Sequence, residues 1–550
     1  MLVIGGLDDQ IGLLIWSTIS NFPFSITIKS IASFLVYQDI FRGLINPLLS
    51  NQPAVWLPVS FLLSVFGNNF YNVLIVFTLL LNFYVATILF GKFKYKFFCA
   101  IVFTFSSYTW LHLGKHIEIS QVWVLLLFFH VLLKSNLTKV NVKSFIKLGF
   151  LLSLAGLVFN YYGLFLALFY LFYILYDFLL DYIKTKKPNF FLLINLLGSF
   201  LISSAIVLLF LFPYINANYL NVSTNKQGNF SMTRPIEDFF SFSSRPWYFI
   251  IPSPKNVIYG QLSENLLLKI KATGNFLADD YFVYEHSANF YGYSFILLLM
   301  FCCCYVFLHK KISKIPMVNY LNTKKFVILA FVLFLFTLPP FVTISGLTIY
   351  TPGYLIYKFF PMFRVTTRLS PLILICLLLA LANSSELMSK DNRVYKIFRL
   401  FLPLIAVLII LETYVPVKIY TVRDTPEIYY YLVKSTNQTT VFASYPLELA
   451  RESFLFTATH QRNFINPSVY ETPNFSSKKF TTALATKEGL KNAKTSGVGY
   501  LLFSKKFTAQ SMLEDPKSVK SPDPEKFFRE NLTLEKDFGD ILLFKLDNRN

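Results

Sequence analysis

Two adjacent carboxylates, Asp8 and Asp9, open a chain that is otherwise strongly apolar. Such a pair suits two kinds of chemistry: taking a proton from an attacking hydroxyl, or holding a hard divalent cation such as Mg or Mn. Further along, "HLGKHIEIS" sets His112 and His116 four residues apart with Glu118 two beyond, which puts both imidazoles on one face if the helix runs on, in a turn expected to face water. Glu285, in "YEHSANFYGY", is a third acidic candidate just before an apolar run. "FRVTTRLSPLILI" carries Arg364 and Arg368, again four apart, and guanidinium forks match phosphate oxygens. Each feature also has a plain structural explanation: polar residues in a loop, interfacial histidines, acids at a helix start, and arginines reaching for headgroups.

Those side chains hang on elements that only a membrane can organise. The chain of 550 residues is 55% hydrophobic, 18% aromatic and 15% charged, with a mean hydropathy of +0.52. This is far more apolar than a soluble protein, so the fold class expected is mainly α, a polytopic membrane helical bundle. Apolar stretches of crossing length fall near 69–90, 97–112, 118–133, 145–160, 163–182, 190–213, 288–308, 326–344, 368–388 and 399–418, predicting about ten crossings. Lys/Arg clusters fill alternate connections, among them Lys92, Lys94 and Lys96, then Lys184, Lys186 and Lys187, then Lys310 and Lys311. The positive-inside rule makes these loops cytoplasmic. The remaining connections, which hold every candidate above, then share the outer face.

The net charge of +20 follows from the same pattern: from residue 420 onward there are 18 Lys/Arg and 15 Asp/Glu, so the membrane part carries +17 of it. No nucleic-acid partner is implied. Cys99, Cys302, Cys303, Cys304 and Cys376 all lie in apolar runs, without disulfide or zinc-type spacing. Two domains are expected: 1–419, with 1–68 as a first outer loop and 214–287 as a long outer loop, and 420–550 as a small extracytoplasmic α/β domain. Segment 10–68, broken by Pro47, Pro53 and Pro58 and by charged residues, reads as amphipathic pieces at the interface. "MLVIGG" reads as the last turn of a helix whose earlier part precedes this chain. In the long loop, Arg234, Arg245 and Trp247 are weaker candidates for greeting a sugar or pyrophosphate.

The run "NPLLSNQPAVWLPVSFLLSVFGNNFYNVLIVFTLLLNFYVATILFG" followed by "FTFSSYTWLHLGKHIEISQVWVLLLFF" resembles the front half of bacterial membrane glycosyltransferases of the GT-C superfamily, including the YfhO-like proteins. "YEHSANFYGYSFILLL", "FFPMFRVTTRLSPLILI", "THQRNFINPSVY" and "SGVGYLLF" agree in order. The resemblance implies a cell-envelope transferase taking a sugar from a polyprenyl-phosphate donor to a glycan, lipid or protein acceptor, with catalytic acids in the first outer loop. It makes Asp9, with Asp8, the base; Glu285 a further catalytic acid; and Arg364, Arg368, His112, His116, Glu118 and His460 the substrate-binding candidates. Asp9, His116 and Glu118 are also the candidates for a divalent cation. These groups are expected to converge on one outward-opening cavity. The alternatives are a lipid-linked glycan flippase or polymerase and a non-catalytic relative; the few ionisable residues inside the helices, Asp177, Asp181 and His130, favour chemistry at the outer face over transport.

Overall fold

The computed structural model describes residues 2–4, 52–66, 70–113, 117–215, 236–272, 284–309, 317–344, 346–388, 392–416, 419–421, 425–437, 439–456, 460, 462–466, 471–472, 475–514 and 521–546. Its larger part is helical: α1 (Pro53–Phe66), α2 (Phe70–Leu89), α3 (Lys96–Thr104), α4 (Ser107–His112), α5 (Trp123–Lys134), α6 (Val142–Val158), α7 (Asn160–Thr185) and α8 (Phe190–Ile215). After the long connection with α9 (Ile236–Phe242) and α10 (Gly260–Ala272) come α11 (Tyr293–His309), α12 (Met317–Thr337), α13 (Gly353–Phe359), α14 (Ser370–Met388) and α15 (Asn392–Thr413). Among the described residues five stretches are helical, long and apolar enough to cross a bilayer: Asn72–Leu89, Asn160–Thr185, Phe190–Phe212, Glu285–Val306 and Thr366–Glu386. The chain is thus a multi-pass membrane protein by length and composition of its helices. The stretch 97–112, expected as one crossing, is instead two helices of nine and six residues broken at Phe105 and Ser106. The second of these ends on a residue of the site.

Helix α14 is the hub, packed between α12 and α11 and almost wholly buried. Its neighbours are tied by side chains that satisfy backbone groups where helices stop. Asn82, buried in α2, donates to the Ser120 carbonyl and accepts from the Trp123 N–H, pinning the turn that follows α4. Helices α6 and α7 meet in a tight elbow at Phe159, where a Cβ on Gly163 would stand 2.7 Å from the Gly156 Cα. Only glycine lets the two backbones approach so closely, and the elbow swings Phe159, Tyr161 and Tyr162 toward α4.

Three features add to expectation or depart from it. Segment 53–66 is a helix with Pro58 inside it, while 5–51, with Asp8 and Asp9, lies outside the described residues. Leu2–Ile4 is not a helical turn: it forms strand β1, antiparallel to β4 (Ile419–Thr421), with Val3 opposite Tyr420. Ladder bonds to the chain leaving α15 suit the β-branched Val3 and Ile4, and Gly5 and Gly6 follow. Between α12 and α13 the chain makes a hairpin of β2 (Phe341–Ile344) and β3 (Leu347–Tyr350) that sequence patterning did not single out.

The C-terminal part is α/β, as its short apolar runs suggested. Strands β5 (Val441–Tyr445), β6 (Asn463–Phe464), β9 (Val498–Ser504), β10 (Thr533–Asp537) and β11 (Ile541–Lys545) form one sheet in the order β10-β11-β9-β5-β6, with β5 parallel to β6 and β9 and the rest antiparallel; β7 (Glu471–Thr472) and β8 (Phe475–Ser476) pair separately. Alternation along the strands fills two cores. Ala443, Leu501, Phe503, Leu542 and Phe544 pack with Leu490 and Phe528 on one face. Phe442, Leu502 and Leu543 pack with Tyr429, Leu449 and Phe456 on the other. Both faces being covered explains why "YLLF" and "ILLF" read as unbroken apolar runs.

Candidate functional site

Four chain segments that stop or turn at one end of the bundle make the site. Helix α4 ends at His112; a 3₁₀ turn (Tyr284–Asn289) leads into α11; a second (Thr366–Leu369) leads into α14; and the elbow before α7 supplies the aromatic side. Turns rather than regular helix are needed here, because each segment must present a polar group sideways to its neighbours. The turns are fastened to one another: Ser370 Oγ donates to the Ala288 carbonyl at 2.9 Å, and Thr366 Oγ1 donates to the Thr337 carbonyl at 3.0 Å. Gly292, at φ +94°, bends the chain between the first turn and α11. Glu412 then accepts from both the backbone N–H and the hydroxyl of Ser294, each at 2.9 Å, capping α11 from another helix.

At the centre, Glu285 is clamped between two partners. Arg368 donates to its Oε1 at 2.7 Å, and its Oε2 lies 2.9 Å from His112 Nε2. Nδ1 of His112 lies 2.7 Å from the Tyr108 carbonyl oxygen. A carbonyl only accepts, so Nδ1 carries a hydrogen and donates it; a hydrogen bond between Nε2 and the carboxylate oxygen takes one more proton, on either partner, and with that proton in place and Arg368 charged the three side chains would sum to one positive charge.

The surroundings are dry and aromatic. The side chains of His112 and Glu285 are 0% and 2% exposed, and that of Arg368 is 12% exposed. The Arg368 guanidinium lies 5.1 Å from the Phe159 ring centre and 5.0 Å from that of Tyr161, while its Nε–H is buried with no acceptor among the described residues. Tyr108 and Tyr162 hydroxyls are 3.1 Å apart, and Tyr162 donates onward to the Ile119 carbonyl. Arg364, nearer the exterior with its side chain 30% exposed, pairs with Asp238 of α9 and lies over the Phe242 ring.

Of the residues singled out in the sequence, His112, Glu285 and Arg368 come together, and Arg364 stands close by in the same stretch. His112 does not face water as expected, because the turn at Tyr284–Asn289 covers it. Glu118 is buried in the turn between Ile117 and Ile119. His460 sits instead in the C-terminal core: its Nε2 donates to the Ser453 carbonyl at 2.9 Å, its Nδ1 accepts from the Arg462 N–H at 3.0 Å, and Tyr429 and Phe464 flank its ring. Arg245 is also spent on structure, fully buried and donating to the carbonyls of Phe240 and Ser243. Asp8, Asp9, His116 and Arg234 lie outside the described residues. Asp238, Tyr108, Tyr162 and Glu412 escaped the sequence reading; "NYYG" after a long apolar run was the one available signal, an interruption placing two tyrosines where two helices must join.

A divalent cation needs several oxygen or nitrogen donors converging on it. Among the described residues no group of three or more His, Cys, Asp or Glu side chains converges, and Glu285 already has a guanidinium on one oxygen and an imidazole on the other. These donors do not fit a cation.

No protein-family model and no curated protein matches the sequence. Among solved structures, ArnT from Cupriavidus metallidurans bound to undecaprenyl phosphate aligns over 91% of this chain and 88% of its own, at 9% identity and a TM-score of 0.33. The Archaeoglobus fulgidus oligosaccharyltransferase in complex with Zn and sulfate aligns over 97% of this chain and 68% of its own, at 12% identity and a TM-score of 0.41. Likenesses of this strength leave function to the site's own geometry.

Proposed function

We propose that the chain is an integral-membrane glycosyltransferase of the GT-C kind that takes a sugar from a polyprenyl-phosphate donor, and that the positive charge at Arg368 receives the donor's phosphate. The observation that carries the reading is the Arg368 guanidinium, held against two aromatic rings with an Nε–H that meets no acceptor among the described residues. An N–H so placed, beside a carboxylate that already holds the other side of the guanidinium, is arranged for an anion, next to an arginine, Arg364, that reaches the exterior.

The reaction this site suits balances simply. An acceptor hydroxyl attacks the anomeric carbon, a new glycosidic C–O bond forms, and the C–O bond to phosphate breaks with its electron pair leaving on the phosphate. A phosphodiester monoanion thereby becomes a monoester that gains one negative charge. At an effective dielectric of about 20, two unit charges 4 Å apart attract by roughly 4 kcal/mol, so one fixed positive charge here matters for the rate. The acceptor's proton goes to a carboxylate, for which Asp9, with Asp8, is the candidate. Glu285, with both oxygens engaged, fits a positioning role better than that of a base. His112 fits the same role.

The test is sugar transfer from a polyprenyl-phosphate-linked sugar by the purified full chain. Arg368→Ala is expected to lower kcat by roughly 10²–10³-fold, as for loss of one group that stabilises developing charge. Arg368→Lys restores charge without the fork and is expected to recover part of that loss. Parental rates in Arg368→Ala would overturn the assignment of the phosphate, and an exchange of lipid-linked glycan between leaflets without any transfer would favour the flippase reading.

A further inference from the structure

The hairpin β2–β3 and the helix α13 that follows it have an outer surface that water would not support. Leu347, Ile349 and Tyr350 on the hairpin are 66%, 48% and 63% exposed, and Leu355, Phe359 and Phe360 on and after α13 are 46%, 63% and 46% exposed. All four residues of β3 are exposed, so apolar side chains project from both faces of the ribbon. Among the described residues the two strands pair only with each other. A lone two-stranded ribbon is marginal in water, and among the described residues this one has no third strand or covering helix on that side.

We infer that this hairpin and α13 form a foot seated in the boundary between hydrocarbon and headgroups, in the leaflet at the end of the bundle that bears Arg364 and Arg368. Three observations select a lipid bilayer as the occupant. The foot is continuous with membrane-crossing helix: it ends a few residues before Thr366–Glu386, one of the stretches long and apolar enough to span. Its exposed aromatic residues lie beside an exposed lysine, Lys358, the pairing of ring and cation that suits the headgroup level. Its outer backbone edges meet no further strand among the described residues, and bare edge N–H and carbonyl groups are not tolerated in hydrocarbon, so the depth is the interface and not the core.

The inner side of the foot is fixed. The Thr351 N–H donates to the Pro340 carbonyl at 3.0 Å, and a Cβ on Gly353 would collide with the Leu338 carbonyl, so α13 starts hard against the end of α12. Phe341 meets Phe240 edge-on at 4.8 Å, and Tyr357 meets Phe239 at 5.2 Å, both on the helix whose Asp238 pairs with Arg364. The foot therefore sets the depth of Arg364 whether or not the donor proposed above is correct.

A photoreactive benzophenone amino acid placed singly at Leu347 or at Phe359, in the full chain in its membrane, tests this. Leu201 on α8, 72% exposed, serves as the lipid-facing control. Irradiation is expected to give phospholipid adducts at all three positions, and headgroup-level nitroxide lipids are expected to broaden a spin label at Leu347 more than nitroxides near the chain ends do. Adducts at Leu347 and Phe359 to peptides of residues 420–550, or no adduct there while Leu201 reacts, would overturn the inference. So would stronger broadening by the deep nitroxides.

Discussion

If the contact between His112 Nε2 and Glu285 Oε2 holds a proton, the three side chains His112, Glu285 and Arg368 carry +1, and this separates two substitutions that would otherwise look alike. Glu285→Gln removes the carboxylate; the amide donates to Nε2, His112 is then neutral, and Arg368 keeps the charge at +1. His112→Gln leaves Glu285 ionised against Arg368 and brings the set to zero. The expected outcome is that His112→Gln weakens binding of the polyprenyl-phosphate donor more than Glu285→Gln does, measured as donor affinity in detergent. Stability should run the other way, because Glu285→Gln breaks the Arg368–Glu285 ion pair, which His112→Gln keeps, and breaking a buried pair typically costs about 3–5 kcal/mol. Equal donor affinity in the two variants would refute the charge count. Asp9→Asn is the third substitution at this scale: if Asp9 is the base, it should cost about 10²–10⁴-fold in rate and leave donor binding in place. The sequence exposed His112, Glu285 and Arg368 because histidines, acids and arginines stand out beside apolar runs. It did not reveal that His112 is buried or that Glu285 faces inward, since those follow from which turns meet, and no local pattern encodes that meeting.

Elements hold this site through short approaches of backbone to backbone. Gly163 lets α7 cross α6 beside Gly156, and a methyl group there would stand 2.7 Å from a Cα atom that cannot move aside. Gly163→Ala should therefore displace the start of α7, carrying Tyr161 off Arg368 and Tyr162 off Tyr108. Overpacking of this kind typically costs about 1–3 kcal/mol, and the expected signature is a lower midpoint of thermal unfolding together with reduced transfer. An unchanged midpoint would show that the elbow yields. Helices were the most legible elements, since runs such as Phe190–Ile215 carry no charged residue and have few other ways to fold in a bilayer. Junctions were the least legible. The break at Phe105 and Ser106 carries neither proline nor glycine, and Thr413 instead satisfies the freed Phe105 carbonyl from a helix some 300 residues away. Strand β2 falls inside the apolar run 326–344, because β-branched residues after a helix look like more helix to a hydropathy window, and β3 lies beyond that run.

The molecule as a whole has two kinds of core: a membrane core of aromatic and aliphatic side chains centred on α14, and the two faces of the C-terminal sheet. They should respond differently to acid, and His460 gives the reason. Burial pushes its imidazole from the ordinary 6.5 down to about 4, the nearby Arg462 guanidinium pushes the same way, and the bond to the Ser453 carbonyl opposes both only in part. Its neighbours leave no room for a second proton on the ring, because Nδ1 already accepts from the Arg462 N–H. An unfolded chain protonates this histidine near 6.5 while the folded domain resists until about 4, so the unfolded state binds more protons throughout that window. Stability of the sheet domain is therefore complete above pH 6.5 and falls as pH drops toward 4, by about 3 kcal/mol over the whole window at 1.36 kcal/mol per pKa unit. Arg462 ties this to a helix end, since its guanidinium donates to the carbonyls of Leu432, Val433 and Thr436 at the close of the helix Glu427–Ser435. Hydrogen exchange on the full chain should show strands β5 and β9 losing protection between pH 6.5 and 4 while α14 keeps it. His460→Gln, which cannot take up a proton, should flatten that loss even if it lowers stability at neutral pH; an acid limb just as steep in the variant would show that another group drives it.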